Sequence, residues 1–206
     1  MEKITVIPEK MVFGGSCLAK VNGKNVFIPY AIPGEKIEIS IKKSFRDYDI
    51  AEIEKVIEPS VHRQLPFCPL YGKCGGCNMQ HIDIDFQREL RKQMLADCFE
   101  REGINVPEIE TISGEPANYR SRIQLTDGGL NEKQSNNILK LDFCPIATDE
   151  INSYLKNVSQ EQRPLGRVHF FGDKRIVFSA QNEYDHLVIA DETKKELWAS
   201  KQVGKS

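Results

Sequence analysis

Residues 66–80 read Pro-Phe-Cys-Pro-Leu-Tyr-Gly-Lys-Cys-Gly-Gly-Cys-Asn-Met-Gln and hold three of the chain's six cysteines, Cys68, Cys74 and Cys77. In Cys74-Gly75-Gly76-Cys77 two thiolates can converge on one centre while the glycines let the backbone turn tightly around it. A tetrahedral site needs a fourth donor, and Cys144, followed by Pro145, is the best candidate. Soft thiolates select zinc or an iron–sulfur cluster. The competing reading is a set of buried or disulfide-bonded cysteines. The spacing favours a metal and leaves its identity open.

N-terminal to this stretch, residues 3–58 read as short strands. Ile4, Val6 and Ile7 open the first, Gly14-Gly15 breaks the run, and Cys17 to Val21 continues it. Asn22-Gly23 is a two-residue hairpin signal, after which Val26 to Ile28 returns. Pro33-Gly34 marks a further turn, then Glu35 to Ile41 alternates apolar and polar residues, and a last strand runs near Ile50 to Ile57. About five strands without a helical period predict a small barrel resembling an oligonucleotide-binding fold. Lys42, Lys43, Arg46 and Tyr48 combine charge with an aromatic in a predicted loop, a composition suited to phosphate contact and base stacking.

C-terminal to the cysteines, residues 83–102 predict a helix. Asp83 is placed to cap it, Leu90, Met94, Leu95, Cys98 and Phe99 share a face, and Gly103 stops it. Cys98 and Cys17 read as packed apolar residues, and His81 as a surface or turn histidine able to donate a second-shell hydrogen bond. Residues 104–116 form a connection. Arg120 to Thr126 and Ile138 to Phe143 read as strands that pair and deliver Cys144. Asp149 to Val158 predicts a short helix with Ile151, Leu155 and Val158 on one face. Arg167 to Phe171, Arg175 to Ala180 and Tyr184 to Ile189 predict an antiparallel meander turning at Gly172-Asp173 and Asn182-Glu183. Arg120, Arg122, Arg167, Lys174 and Arg175 can make a phosphate-binding edge there. The tail from Asp191 is polar and expected to fray, with Trp198 the one sign of docking. The expected fold class is α+β: a barrel over 1–60, a cysteine-bearing α+β domain over 61–190 and a tail over 191–206.

The totals set bounds. The 206 residues have a formal charge of −2, and the first sixty carry equal numbers of basic and acidic side chains, so no global basic field announces a nucleic acid. No apolar run approaches the roughly 18 residues of a membrane helix. The start, Met-Glu-Lys-Ile-Thr-Val-Ile-Pro-Glu-Lys, lacks a signal-peptide core. A cytoplasmic, reducing setting is therefore expected, where clustered thiols bind metal more often than they cross-link.

Two resemblances sharpen these expectations. Phe13-Gly14-Gly15-Ser16-Cys17-Leu18-Ala19, Asn22-Gly23-Lys24-Asn25-Val26-Phe27-Ile28-Pro29 and Ala31-Ile32-Pro33-Gly34-Glu35 resemble the TRAM domain, an RNA-binding β-barrel, with Ile32 where leucine is usual. Cys68-Pro69, Cys74-Gly75-Gly76-Cys77, Gln80-His81, Asn118-Tyr119-Arg120-Ser121-Arg122 and Asp142-Phe143-Cys144-Pro145-Ile146 resemble the TrmA-like uracil-C5 RNA methyltransferases that carry an iron–sulfur cluster. That resemblance implies a 4Fe–4S cluster on Cys68, Cys74, Cys77 and Cys144, and rRNA or tRNA as partner. The RNA contacts would fall to Lys42, Lys43, Arg46, Arg120 and Arg122.

In such enzymes a cysteine thiolate adds to C6 of uracil, C5 takes the methyl group of S-adenosylmethionine, and a carboxylate removes the C5 proton. That machinery occupies a C-terminal doubly wound domain. No residue of this chain is given a catalytic or S-adenosylmethionine-binding role. The chain stops at Ser206, about where that domain is expected to start. It is therefore expected to lack the domain through truncation, gene splitting or degeneration, and to be inactive alone. Its expected role is to grip RNA for a catalytic domain that is either supplied elsewhere, as by a separately encoded methyltransferase domain, or lost. Neither a membrane nor DNA is expected as a partner. The alternatives are a stand-alone, non-enzymatic RNA-binding iron–sulfur protein and a structural zinc module.

Overall fold

The structure, a computed structural model, describes residues 3–172 and, beyond them, the backbone of three strands at 176–181, 186–191 and 196–201. It is a mostly-sheet α+β fold with two α-helices among the described residues. The chain divides into two compact units, residues 1–71 with 76–112, and residues 72–75 with 113–206.

The first unit is built on six strands, β1 (Ile4–Val6), β2 (Lys10–Met11), β3 (Ser16–Val21), β4 (Lys24–Pro29), β5 (Lys36–Ser44) and β6 (Tyr48–Glu58). Their order is β1-β5-β6-β4-β3-β2, with β4 and β6 parallel and the other pairs antiparallel. Asn22 and Gly23 take φ of 51° and 81°, the mirror-image hairpin turn that matches strand twist. Three register shifts along β5–β6 bend that pair. The sheet curls into a half-barrel whose two edge strands are not hydrogen-bonded to each other. The strand count is six where the sequence predicts five, because β2 is two residues long and carries no periodicity.

Alternation along these strands drives Cys17, Ala19, Val26, Ile28, Ile37, Ile39 and Ala51 into one core, each at most 1% exposed. The core extends into the helix α1 (Ile84–Arg101): Leu90 is buried in it, and Phe86 and Met94 pack against it. Asp83 caps α1 by accepting from the Phe86 N–H at 2.9 Å. The unit therefore does not end at residue 60. The predicted apolar face of the helix is only partly used, since Leu95 remains 47% exposed.

The second unit holds β7 (Arg122–Thr126), the two-stranded hairpin β8 (Leu130–Asn131) and β9 (Ile138–Leu139), α2 (Asp149–Asn157), β10 (Arg167–Gly172), β11 (Ile176–Gln181), β12 (His186–Asp191) and β13 (Glu196–Lys201). The antiparallel sheet runs β13-β12-β11-β10-β7. Ile151, Tyr154 and Leu155 of α2 are buried, and the Tyr154 ring lies 5.0 Å from that of Phe170 on β10.

Two strand expectations are corrected. Ile138 to Phe143 is extended only over β9, which pairs with β8, while β7 pairs with β10. Within the tail expected to fray from Asp191, residues Glu196–Lys201 form β13, which pairs with β12 through backbone groups that polar residues supply as well as apolar ones. The turn residues Asp173, Asn182 and Glu183, the basic residues Lys174 and Arg175, and the side chain of Trp198 lie outside the described residues. Among the described residues no helix is long and apolar enough to cross a membrane.

Candidate metal centre and nucleic-acid interface

The cysteine-rich segment leaves the half-barrel through a closed neck. Arg63 and Ile82 form an isolated antiparallel bridge, and the Gln64 N–H donates to the His81 carbonyl at 2.9 Å. The Gln64 side chain donates to the Gln80 and Ile82 carbonyls, and Gln80 Oε1 accepts from the Cys68 N–H at 3.2 Å. A turn follows, in which the Tyr71 N–H donates to the Cys68 carbonyl.

Asn78, next to Cys77, donates to the Gly14 carbonyl at 2.6 Å. A Cβ on Gly15 would lie 2.6 Å from the Asn78 amide nitrogen, so the glycine bend is what admits the cysteine loop to this position.

His81 is not a surface histidine. It is 2% exposed, with Nδ1 2.6 Å from the Tyr71 hydroxyl and Nε2 3.3 Å from the Ala31 carbonyl. Burial pulls its pKa down to about 4, so at neutral pH it is an uncharged ring that can accept from Tyr71 and donate to Ala31. The Cys17 thiol donates to the same Ala31 carbonyl at 3.1 Å, and burial raises its pKa to about 12. A thiol so protonated in a strand core is packing, as its alternation predicts.

Beneath the neck, Glu35 has a fully buried side chain and accepts from the Ile32 and Ser60 N–H groups and from Arg63. Burial alone would raise its pKa, but the Arg63 guanidinium and the two amides outweigh that and hold it below the usual carboxylate value.

Cys144 is positioned by a separate device in the second unit. Asn152, on α2, accepts from the Cys144 N–H at 2.8 Å and donates to the Cys144 and Ala147 carbonyls at 3.0 Å. Arg163 is 2% exposed and donates to the carbonyls of Gly128, Leu141, Leu155 and Val158 at 2.6–2.9 Å. A Cβ on Gly128, whose φ is +74°, would lie 2.5 Å from the Gln160 carbonyl oxygen, so only glycine fits that corner. Neither Asn152 nor Arg163 carries a signal in the sequence pattern, because each acts through backbone atoms brought to it by the fold.

Cys68 and Cys77 belong to the first unit, Cys74 and Cys144 to the second. Cys74 forms an isolated bridge with Glu132, and the Lys133 N–H donates to the Lys73 carbonyl at 2.7 Å. All four are half-buried, unlike the sealed Cys17, and none of the six cysteines is in a disulfide. Cysteine thiolates are the donor type that zinc and iron–sulfur sites take. Among the described residues no group of three or more His, Cys, Asp or Glu side chains is arranged to hold a metal ion.

Of the basic residues named for RNA, Lys42 and Lys43 lie on β5 rather than in a loop, and Arg46 lies in the β5–β6 turn. Lys42 is tied to Glu52 at 3.1 Å and Glu54 at 3.5 Å, whereas Lys43 is exposed and Arg46 is 95% exposed, 3.9 Å from Asp47. The sequence reading passed over Phe45, which is 44% exposed and stacks on Tyr48 at 4.7 Å. An aromatic beside Arg46 at a hairpin tip is the signal that marks it. Arg122 is exposed on β7. Arg120 is exposed just before that strand, held by an N–H donated to the Ile146 carbonyl at 2.7 Å.

Comparison with known proteins gives this geometry a context. The chain is 38% identical to an uncharacterized RNA methyltransferase of Treponema denticola, over 90% of this chain and 51% of that protein. Its relatives are RNA methyltransferases. It is 33% identical to the 23S rRNA (uracil(1939)-C(5))-methyltransferase RlmD of Shewanella amazonensis, over 70% of this chain and 35% of that protein. The corresponding protein of Chromohalobacter salexigens is 32% identical over 67% of this chain and 31% of its own length. The chain thus spans about half the length of the first of these relatives and about a third of the others.

Among solved structures, the tRNA (uracil-54, C5)-methyltransferase of Pyrococcus abyssi, in complex with S-adenosyl-L-homocysteine, shares the fold. It matches with a TM-score of 0.52 at 18% identity, covering 90% of this chain and 44% of that one. No family model matches the chain.

Proposed function

We propose that this chain supplies the RNA-gripping, cluster-holding part of an S-adenosylmethionine-dependent uracil-C5 RNA methyltransferase acting on rRNA or tRNA. The observation that carries the proposal is the 32–38% identity, over 67–90% of the chain, to proteins named as RNA methyltransferases. The half-barrel of β1–β6 is read as a TRAM domain. Cys68, Cys74, Cys77 and Cys144 are read as the ligands of a 4Fe–4S cluster. When bound, such a cluster supplies four iron–thiolate bonds that cross-link distant loops.

The chain's own residues do the preparatory work. The Gln64, Gln80 and Asn78 contacts fix the loop that carries Cys68 and Cys77, and Asn152 fixes the Cys144 turn on both its N–H and its carbonyl. Lys43, Arg46, Arg120 and Arg122 offer exposed cations for phosphates. Lys42 contributes less, being already neutralised by two glutamates. Methyl transfer itself is assigned to no residue of this chain.

Anaerobic purification followed by iron and sulfide analysis tests the cluster. A coloured protein with about four irons per chain is expected, falling on Cys144→Ser. A colourless protein with stoichiometric zinc would overturn it. Titration with rRNA and tRNA transcripts tests the RNA role: affinity should fall steeply with salt, and no binding at low salt would remove the RNA reading.

A further inference from the structure

The turn joining β5 to β6 holds an unusual stack. The Phe45 N–H donates to the Tyr48 carbonyl at 2.9 Å, closing the turn over Arg46 and Asp47. Within it the Phe45 and Tyr48 rings lie nearly parallel, 22° apart with centroids 4.7 Å apart. Tyr48 in turn meets the edge of Phe27, on the neighbouring strand β4, at 5.4 Å and 84°. Three rings therefore form a column that starts on the sheet and ends at Phe45, whose outer side is open to solvent.

The surroundings of that outermost ring are graded in charge. Lys24 reaches Asp49 at 2.6 Å and Ser44 at 3.0 Å, which holds the Asp49 carboxyl below its usual value and quiets the one acid at the base of the column. Lys43 and Arg46 flank Phe45 in sequence, both exposed, and Arg46 makes only a long contact with Asp47. A flat π-face backed by a second ring, with an exposed cation on either side in sequence, suits a base and its flanking phosphates better than an apolar protein side chain. The backing matters because a phenylalanine fixed from behind loses little freedom when a base settles on it.

We propose that Phe45, braced by Tyr48, is a stacking platform for one unpaired base of single-stranded RNA, with Lys43 and Arg46 taking the adjacent phosphates. This rests on the reading of RNA as the ligand and adds the form of RNA and the residue that selects it. A base inside a duplex has both faces occupied, so the platform distinguishes an unpaired base from a paired one without reading its identity.

The experiment is fluorescence anisotropy of the full chain with a labelled single-stranded RNA and with a duplex of the same length. Phe45→Ala and Phe45→Leu should each weaken single-strand binding about tenfold while leaving duplex binding unchanged. Leucine keeps the apolar bulk and removes only the π-face. Phe45→Trp should bind as tightly as the wild type, and its added emission should be quenched as the single strand saturates. Lys43→Ala and Arg46→Ala should each lower the slope of log affinity against log salt by roughly 0.7.

Wild-type affinity in Phe45→Leu, an equal loss on duplex, or an unquenched Phe45→Trp would overturn the platform while leaving RNA binding intact. No binding of any RNA by the wild-type chain would instead overturn the RNA reading, and the platform with it.

Discussion

Each of the two units sets one arginine beside a cysteine-bearing loop, half-buried at Arg63 and buried at Arg163, and the two are held differently. Arg63 stands at the neck of the loop carrying Cys68 and Cys77, where it meets a carboxylate, Glu35, whose side chain is wholly buried. Arg163 meets no carboxylate among its hydrogen-bond partners, which are four backbone carbonyls gathered from β8's turn, the approach to Cys144 and the end of α2. The first is an ion pair and the second a cation held by dipoles. An ion pair fails when either charge is removed, because the other is stranded. A dipole clamp fails by leaving carbonyls unpaired, and an unpaired neutral carbonyl costs less than an unpaired charge.

The largest expected effect follows from that difference. Glu35→Ala should cost about 3–5 kcal/mol, since it strands Arg63 and two amides at once. Hydrogen exchange across β5 and β6 is the local readout, and unchanged protection there would show that the neck does not depend on the pair. Arg163→Ala should cost less, roughly 2–3 kcal/mol, read as faster exchange in α2. Arg163→Lys should recover only part of that loss, because an ammonium on a flexible stem cannot span four carbonyls as a planar guanidinium does. A larger loss for Arg163→Ala than for Glu35→Ala would reverse the comparison.

The sequence made some of this legible and hid the rest for identifiable reasons. Strands β3 to β6 announce themselves through alternation and through Asn22-Gly23 and Pro33-Gly34, whose information is local. The cap of α1 is also local, Asp83 to Phe86. The cluster of Cys68, Cys74 and Cys77 stands out because its residue types and spacing are visible in one dimension, whereas nothing local ties Cys144 to it. His81 lies in a turn, as the sequence suggests, but its burial is not legible there because it depends on the Ala31 carbonyl, fifty positions away, and on Tyr71. The pairing of β7 was misjudged for a similar reason: the nearest extended run seemed its natural partner, yet β10 supplies a full five-residue register that β9 is too short to offer. Asn152 and Arg163 bind backbone atoms, which every residue possesses, so no pattern of side chains points to them.

Acid should separate the two units next. His81 has a folded pKa of about 4 against 6.5 for the ordinary ring, so the unfolded chain takes up its proton first. Its contribution is complete above about pH 6.5 and is lost as pH falls from there toward 4. Glu35 is depressed in the fold, so its contribution is present above its unfolded value of 4.5 and is lost as pH falls below that. Both act in the same direction and both belong to the first unit. Between pH 7 and 5 the first unit should lose on the order of 2 kcal/mol through His81, while Arg163, which stays protonated, gives the second no such dependence. Exchange measured at both pH values checks this, and His81→Gln should flatten the response of β3 and β4. Equal acid sensitivity in α2 would mean that the clamps are not what divides the units.

The smallest effect tests whether charge matters where water reaches it. Lys10 on β2 pairs with Asp97 on α1 at 2.7 Å, joining the helix to the half-barrel, with side-chain exposures of 42% and 20%. The same helix is held by Leu90 within the core and by Phe86, whose ring stacks on His62 at 3.9 Å. Burying such apolar side chains contributes roughly 1.5–3 kcal/mol each, against about 0.2–1 kcal/mol for an exposed ion pair. Lys10→Ala should therefore cost less than about 0.5 kcal/mol in denaturant unfolding, and the loss should vanish at high salt. A loss near that of Glu35→Ala would place the attachment of α1 on the ion pair rather than on Leu90, and would make water exclusion irrelevant to the contrast between the two clamps.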